Sequence, residues 1–462
     1  MTQAMPHRFP DSFRWGTATS AYQIEGAIAT DGRTPSVWDT FSAQSGRVLN
    51  GDTGAVACDH YHRYPDDIEL LAKLGVRHYR FSLSWSRILP EGRGRINEAG
   101  IEFYQRLVDA LLDQGITPHA TLFHWDSPQA LEDEYGSWRS RQMAQDFADY
   151  ATAVVSRLGD RITHWMTLNE ISCFTHLGYA TGQAPPHAPG TVVGRAKDVW
   201  QTSHHALLAH GLGCQAIRAA SPQPCSVALV DNFAVPVPLT ETSADITAAQ
   251  QAFPMLWSNG GIIVPALTGR YSPELLEQLG DEAPDIQPGD LEAIHQPLDA
   301  LGVNVYSGVY VRAIADSYQV LPFPEGYPRL NMPWLQLMPD VLYWAVRHVG
   351  ETLERPDLPL LITENGCAAQ DSVVEEAAGP PEVLDSDRIL YLRGALRSAH
   401  RAIDEGYPLQ GYFAWSLLDN FEWAYGYDRR FGLVYVDYAT QQRLPKASYH
   451  WYRECIRQGR VV

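Results

Sequence analysis

The chain has 462 residues, of which 45% are hydrophobic and 19% are charged, a balance typical of a globular protein with a large buried core. Its formal net charge of -19 argues against nucleic acid and anionic membrane surfaces as partners, because both select for lysine and arginine. The six cysteines form no CxxC pair, which gives no support to a zinc site and fits a reducing compartment.

The N-terminal residues MTQAMPHRFPDSF contain no apolar signal region, and no stretch approaches the roughly 18 apolar residues of a membrane helix. We therefore expect a cytoplasmic protein without a membrane partner. No metal-ligand cluster and no phosphate-binding glycine loop is evident in the sequence. We also expect no cofactor and no metal.

Short apolar runs that end in polar or aromatic residues alternate along the chain with amphipathic helical patterns. The runs predict strands at 14–19, 77–84, 117–124, 163–169, 226–232, 300–306, 360–364 and 410–416. Between them, the periodicity predicts helices at 97–114, 140–158 and 386–405, with Gly115 and Gly406 as C-terminal stops.

Eight strands joined by helices predict an α/β fold, a single (β/α)8 TIM barrel in which residues 1–462 form one catalytic domain. An eight-stranded open sheet is the structural alternative. The segments before and after the sixth strand are longer than one helix requires. Their proline-rich stretches at 235–238 and 321–328 predict long loops over the C-terminal face of the barrel.

Active sites of such barrels lie at the carboxyl ends of the strands, so the residues that follow each strand should converge on one pocket. In chain order these residues are Gln23, Arg80, His124, Trp125, Asn169, Glu170, Asn232, Asn304, Tyr306, Glu364, Trp415, Glu422 and Trp423. The set is polar and aromatic. Most aromatic residues of the chain are expected in the core, but flat rings with polar tips also suit the C–H face of a sugar.

Glu170 and Glu364 end the fourth and seventh predicted strands, nearly opposite each other around the ring. Cleavage of a glycosidic bond uses two carboxyl groups, one that protonates the departing oxygen and one that attacks or activates water. Two carboxylates about 5.5 Å apart repel by roughly 3 kcal/mol, or about 2 pK units, so one stays protonated. Arg80 is the candidate cation that keeps Glu364 ionised and leaves the proton on Glu170.

The chain resembles glycoside hydrolase family 1, the β-glucosidase and β-galactosidase family, over nearly its whole length. The resemblance is carried by FRWGTATSAYQIEG (13–26), YRFSLSWSRILP (79–90), TLFHWDSPQAL (121–131), TLNE (167–170), LGVNVYS (301–307), ITENG (362–366) and GYFAWSLLDNFEWAYGY (411–427). It implies a retaining β-glycosidase that acts on small-molecule β-glycosides or oligosaccharides, and it favours a β-glucosidase of cellulose degradation. A β-galactosidase, a β-fucosidase and a transglycosylating relative stay open as alternatives.

The same resemblance implies roles for the matching positions. Glu170 corresponds to the family's acid/base and Glu364 to its nucleophile, with Tyr306 as the hydrogen-bond partner of Glu364. The implied sugar-binding residues are Gln23, His124, Trp125, Asn169, Asn304, Trp415, Glu422 and Trp423. Trp334 is the expected platform for the aglycone, although its segment matches the family only loosely.

The sequence departs from the family at Ile171 and Ser172, where proline, often followed by tryptophan, usually stands after the acid/base. We expect a changed leaving-group preference from this departure. Glu422 argues against a 6-phospho-β-glycosidase, because a carboxylate repels a phosphate. Glu170 argues against a plant-type thioglucosidase, in which glutamine replaces the acid. A catalytically inactive sugar-binding barrel would lack one or both glutamates, and this chain has both.

Overall fold

The centre of the molecule is a closed barrel of eight parallel strands. A computed structural model describes residues 7–180, 187–256, 259–353, 355–374 and 381–462. The strands are β1 Arg14–Ala18, β2 His78–Ser82, β3 Thr117–Phe123, β4 His164–Asn169, β5 Ser226–Asn232, β6 Ala300–Asn304, β7 Leu360–Asn365 and β8 Leu409–Trp415. Strand β1 pairs with both β2 and β8. The predicted (β/α)8 barrel is therefore confirmed, and the open-sheet alternative is wrong.

The predicted strands differ from the observed strands by no more than two residues at either end. The largest differences are in β2 and β6, which end at Ser82 and Asn304. The residues that follow turn out of the sheet toward the mouth of the barrel, so Tyr306 lies in a loop rather than in the predicted strand.

Helices surround the barrel and link its strands. The longer ones are His60–Leu74, Glu98–Asp113, Gln142–Leu158, Ala196–Ala220, Val341–Thr352, Ser386–Asp404 and Ala447–Gln458. Shorter α-helices are Ala21–Ile24, Val37–Ser42, Trp85–Ile88, Gln129–Tyr135, Ser243–Ala252, Asn259–Thr268, Pro273–Leu279 and Asp290–Ile294. The 3-10 turns are Leu49–Gly51, Ser137–Arg139, Phe253–Met255, Gly280–Glu282 and Trp423–Tyr425, and a π-helical turn spans Cys173–Leu177. Gly115 and Gly406 have φ of 68° and 89°, the left-handed backbone that ends a helix, as predicted.

Smaller sheets lie outside the barrel. Val235–Pro238, Gly308–Ile314 and Ser317–Leu321 form one sheet, Val373–Val374 pairs with Glu382–Val383, and Val434–Val436 pairs with Arg443–Pro445. The stretch at 235–238 is thus an edge strand and not the predicted loop. An edge position tolerates Pro236 and Pro238, because one side of the strand needs no N–H donor. The stretch at 322–328 is a loop, as predicted.

The barrel strands bury both apolar and polar side chains, the latter including His119, which stacks on His164. Met166, Ala228, Val230, Ala300 and Leu361 form a buried cluster inside the ring of strands. A much larger apolar core lies between the strands and the surrounding helices. Within the described ranges, none of the helices combines the length and the apolar character that a membrane span requires.

A buried ion network ties the loops that follow β7 and β8 to the last helix of the chain. Lys446 donates to Asp371 Oδ2 at 2.5 Å and to Asp419 Oδ1 at 2.6 Å, and its side chain is fully buried. Arg388 donates to Asp371 at 2.8 Å, and Arg430 donates to Asp419 at 2.7 Å. Buried charges that lack a partner are costly, so these loops are held in one arrangement.

Removal of the central cation should therefore destabilise the protein strongly. We expect Lys446→Met to lower the free energy of unfolding by about 3–5 kcal/mol, because two carboxylates lose a buried partner. Lys73→Met is the matched control, since Lys73 pairs with Glu69 at 2.7 Å with both side chains more than half exposed. An exposed pair contributes at most about 1 kcal/mol. Equal decreases of Tm in the two variants, measured by calorimetry, would contradict this prediction.

Candidate active site

The residues predicted at the strand ends surround a cavity of about 350 Å³ at the mouth of the barrel. Its lining residues are His124, Trp125, Glu170, Cys173, Leu177, His187, Asn232, Tyr306, Met332, Trp334, Glu364, Trp415, Glu422, Trp423, Tyr425 and Phe431. The other predicted site residues, Gln23, Arg80, Asn169 and Asn304, are also buried. Arg80, Asn169 and Asn304 form hydrogen bonds with residues of the cavity wall, and Gln23 binds the two residues that precede Glu422. The structure thus brings the predicted set together at one place.

Glu364 lies on β7 where the pairing with β6 shifts by one residue between Ile362 and Glu364. Such irregularities re-aim a side chain at the end of a strand. The carboxylate is 3% exposed. Arg80 Nη1 donates to its Oε1 at 2.5 Å, and the Tyr306 hydroxyl donates to its Oε2 at 2.7 Å. Burial raises the pKa of Glu364 above its usual value, and the Arg80 guanidinium and then the Tyr306 hydroxyl oppose this increase.

Glu170 directly follows β4 and has a left-handed backbone with φ of 51°. Its side chain is almost fully buried, and Asn304 Nδ2 donates to its Oε1 at 2.7 Å. Burial, followed by the negative charge of Glu364, raises the pKa of Glu170 to about 8. Glu170 therefore holds a proton at neutral pH, whereas the guanidinium next to Glu364 favours its ionised form.

Asn169 and Asn304 connect the two glutamates. Arg80 Nη2 donates to Asn169 Oδ1 at 2.6 Å, and Asn304 Nδ2 donates to the same oxygen at 3.0 Å. The Thr363 hydroxyl donates to Asn304 Oδ1 at 2.7 Å, which fixes the orientation of that amide. One continuous network thus joins the two carboxyl groups, so that their positions are mutually determined.

Rings form one side of the cavity. His124 stacks on Trp415 with ring centroids 5.7 Å apart and an angle of 11° between the planes. Trp423 lies against Trp125 at 4.5 Å. Burial, followed by the charge of Arg80, lowers the pKa of His124 well below its usual value, so this imidazole is neutral. Its Nε2 lies 3.3 Å from the amide nitrogen of Asn169.

Three residues of the wall have backbone angles that side chains other than glycine rarely adopt. Trp125, Glu170 and Trp423 have φ of 80°, 51° and 50°. Each such residue costs on the order of 1–3 kcal/mol and persists only where the surroundings hold it in place. Such conformations are frequent at ligand-binding and catalytic sites, and here all three residues line the same cavity.

A third carboxyl group, that of Glu422, faces the same cavity. It is 8% exposed, and burial followed by the charges of Glu364 and Glu170 raises its pKa to about 8. Gln23 lies behind it, where Nε2 donates to the Phe421 carbonyl at 2.8 Å and to Asn420 at 3.1 Å. The three carboxyls and the amides offer many hydrogen bonds to a polyhydroxylated ligand.

Trp334 lies at the outer rim of the cavity. It is 40% exposed and contacts Tyr306 edge to face, with centroids 5.7 Å apart. Sequence reasoning from strand ends did not find several other wall residues, which are Cys173, Leu177, His187, Met332, Tyr425 and Phe431. Cys173 and Leu177 lie in the π-helical turn after Glu170, Tyr425 lies in a 3-10 turn and the others lie in loops. No periodicity or strand end marks these positions in the sequence.

The arrangement has the parts that glycoside cleavage requires. A neutral carboxylic acid and a carboxylate stabilised by a guanidinium face one cavity, beside aromatic rings and hydrogen-bonding groups. The acid can protonate a departing oxygen, and the carboxylate can attack an electrophilic carbon or stabilise positive charge on it.

Comparison with known proteins agrees with this geometry. Residues 5–460 match the family described as Glycosyl hydrolase family 1. Thermostable beta-glucosidase B of Thermobispora bispora is 46% identical, with 98% of this chain and 91% of that protein covered. The bifunctional beta-D-glucosidase/beta-D-fucosidase of Bifidobacterium breve is 44% identical, with 97% and 98% covered. The structure of the family 1 b-glucosidase from Thermotoga maritima superposes with a TM-score of 0.89 at 40% identity and covers 99% of this chain and 100% of its own. The chain therefore belongs to glycosyl hydrolase family 1.

Proposed function

We propose that this chain is a retaining β-glucosidase, which releases non-reducing terminal β-D-glucosyl residues through a covalent glycosyl-enzyme. Family 1 is a retaining family, and relatives that are 38–46% identical over nearly the full chain are named β-glucosidases. The observation that carries the proposal is the contrast between the two glutamates. Glu364 binds a guanidinium, and Glu170 holds a proton to a pKa of about 8.

In the first step, the carboxylate of Glu364 attacks the anomeric carbon of the sugar and forms an ester. The bond from this carbon to the aglycone oxygen breaks, and Glu170 gives its proton to that oxygen. Arg80 and Tyr306 hold Glu364 through both of its oxygens, so the attacking group has a fixed orientation.

In the second step, water cleaves the ester. Esterification removes the negative charge of Glu364, which is the largest contribution from a neighbouring charge to the raised pKa of Glu170. Glu170 therefore becomes a stronger acid after it has lost its proton to the leaving group. As a carboxylate it accepts a proton from the attacking water, and Glu364 is released as a carboxylate.

The remaining polar and aromatic residues form the sugar subsite in this proposal. Asn169 bonds the 2-hydroxyl, Trp415 lies under the sugar ring, and Glu422 bonds hydroxyls at the far end of the sugar. The supporting residues of the subsite are Gln23, His124, Trp125, Asn304 and Trp423. Trp334 is the aglycone platform, and its position at the exposed rim next to Tyr306 supports this role.

Glucose is the proposed sugar, and fucose is a second candidate. A relative from Bifidobacterium breve carries both activities in its name, and one from Thermotoga neapolitana, 42% identical, is named 1,4-beta-D-glucan glucohydrolase. The latter supports short oligosaccharides from cellulose as substrates. The described residues that line the cavity include no lysine or arginine to pair with a phosphate, which disfavours a sugar with a 6-phosphate.

We further infer that residues 1–462 form one catalytic domain that works in the cytoplasm. The two ends of the described chain contact each other, since the Phe9 N–H donates to the Gly459 carbonyl at 2.8 Å. The barrel strands extend from Arg14 to Trp415, between those two ends. The six cysteines are unpaired thiols, which fits a reducing compartment.

The nucleophile can be identified with azide. We expect wild type to release p-nitrophenol from its β-glucoside, and Glu364→Gly to lose roughly 10³-fold or more of this activity, about 4 kcal/mol of barrier. Azide should restore turnover and yield α-glucosyl azide, because the anion occupies the face from which Glu364 attacks. Glu170→Gly is the matched control and should yield β-glucosyl azide, because there azide captures the glycosyl-enzyme. The same anomer from both variants would contradict the assignment.

The proton transfer can be followed by NMR of carboxyl-labelled enzyme. We expect the pKa of Glu170 to be about 8 in the free enzyme and to fall when Glu364 carries a 2-deoxy-2-fluoroglucosyl ester. The fall should be about 2 pK units, since one carboxylate neighbour is neutralised. Glu170→Gln identifies the resonance. An unchanged or increased pKa in the glycosylated enzyme would show that Glu364 does not hold the proton on Glu170.

A further inference from the structure

A second cavity of about 350 Å³ adjoins the active-site cavity and has no part in the proposed mechanism. Asn232, Tyr306 and Trp334 line both cavities, so the two meet at these residues. We call the second one the outer cavity, because Trp334 is exposed and several of its other residues, including Phe323 and Gln336, are partly exposed. The outer cavity therefore leads from the active site toward the surface.

The outer cavity lies on the aglycone side of the bond that is cleaved in the proposed function. Glu170 and Glu364, which act on that bond, line only the active-site cavity. The same holds for Trp415 and Glu422 of the proposed sugar subsite. Trp334, the proposed aglycone platform, lines both cavities. A chain of sugar units that passes Trp334 therefore has room for a further unit beyond this ring.

Trp334 stands near the tip of a loop that is folded back on itself. The Leu337 N–H donates to the Pro328 carbonyl at 2.9 Å, and the Leu330 N–H donates to the Leu335 carbonyl at 3.0 Å. These two bonds join the arms of the loop in the manner of a hairpin. The ring is thus carried on an ordered segment, and this order lowers the entropic cost of binding a ligand against it.

Phe323 is held in place by two tyrosines. Its ring centroid lies 4.8 Å from that of Tyr327 and 5.9 Å from that of Tyr310. The Tyr327 hydroxyl donates to the Leu337 carbonyl at 3.1 Å and lies 3.1 Å from the Tyr310 hydroxyl, which connects this cluster to the loop of Trp334. Because the packing leaves Phe323 partly exposed, its ring can offer a flat apolar surface to a ligand in the outer cavity.

The polar groups of the outer cavity carry no charge. None of the described residues that line it is an aspartate, a glutamate, a lysine, an arginine or a histidine. The Ser307 hydroxyl donates to Gln336 Oε1 at 3.0 Å. The Gln336 amide nitrogen makes no hydrogen bond with the described part of the chain, so it is available to a ligand hydroxyl. A chain with a net charge of -19 thus has here a neutral surface of rings and hydrogen-bonding groups, which suits a neutral sugar.

We propose that the outer cavity binds the third sugar unit of a β-linked glucose oligosaccharide, with Phe323 against the ring and Gln336 bound to a hydroxyl. The first unit is then the one that Glu364 attacks, and the second lies against Trp334. The proposal rests on the proposed function, since it requires that the bond cleaved at Glu364 is glycosidic. It deepens that function, because it makes trisaccharides and longer chains, rather than disaccharides, the preferred substrates.

The dependence of kcat/KM on chain length tests the proposal. We expect kcat/KM of the wild type to be about threefold to tenfold higher for cellotriose than for cellobiose, because only the trisaccharide reaches Phe323 and Gln336. Phe323→Ala should reduce this preference to less than about twofold, and should leave kcat/KM for cellobiose and for p-nitrophenyl β-glucoside within about twofold of wild type. Gln336→Leu should lower the same preference, since it removes the donor and keeps a side chain of similar size.

Two controls separate the role of the ring from an effect on the fold. Phe323→Tyr keeps a flat ring and should keep the preference for cellotriose. Tyr318→Ala removes a partly exposed ring from the strand that precedes Phe323 and lines neither cavity, so it should leave all three values unchanged. If Phe323→Ala does not fold, Gln336→Leu still tests the proposal, because the Gln336 side chain is partly exposed.

Equal kcat/KM for cellobiose and cellotriose in the wild type would overturn the proposal, and so would a preference that survives both Phe323→Ala and Gln336→Leu. If Phe323→Ala lowers cleavage of octyl β-glucoside while Gln336→Leu leaves the preference for cellotriose unchanged, the outer cavity binds an apolar aglycone instead, and the proposal is wrong. Failure of the proposed function has a different signature, since the wild type would then cleave neither p-nitrophenyl β-glucoside nor either oligosaccharide.

Discussion

The site depends on one cation that is buried in the floor of the barrel mouth. The Arg80 side chain is 1% exposed, and removal of a guanidinium from water costs several kcal/mol unless acceptors surround it. Here the acceptors are a Glu364 oxygen, the Asn169 side chain and the Thr363 carbonyl. Strand β2 fixes the position of Arg80, and Arg80 therefore determines which carboxyl group of the site ionises first. The other carboxyl groups then titrate next to the negative charge of Glu364.

One cation among three facing carboxyl groups also explains the chemistry of the rest of the cavity. Glu170 and Glu422 both have a pKa of about 8, for the same reasons of burial and of nearby negative charge. A protonated Glu422 can donate a hydrogen bond as well as accept one. Glu422 can therefore bind a neutral sugar through either direction of hydrogen bond, while in the proposed function the Glu364 carboxylate faces the anomeric carbon.

The sequence was sufficient for the barrel and for much of the site. Alternation of apolar runs with helical periodicity located every barrel strand, and the rule that sites lie at strand ends located both glutamates. Both approaches failed where structure depends on non-local contacts. The stretch at 235–238 forms a strand only because Gly308–Ile314 pairs with it. Loop residues such as Met332 reach the cavity without any local signal.

At Trp125, Glu170 and Trp423 the left-handed backbone sets the stability of the fold against the activity of the site. Glycine or asparagine would suit these three backbone conformations better than the residues present. Selection for thermal stability alone would therefore favour their replacement, whereas the proposed sugar site uses the two indole rings and the carboxyl group at these positions. Stabilisation of this enzyme is thus to be sought away from the mouth of the barrel, where sequence and backbone preference do not conflict.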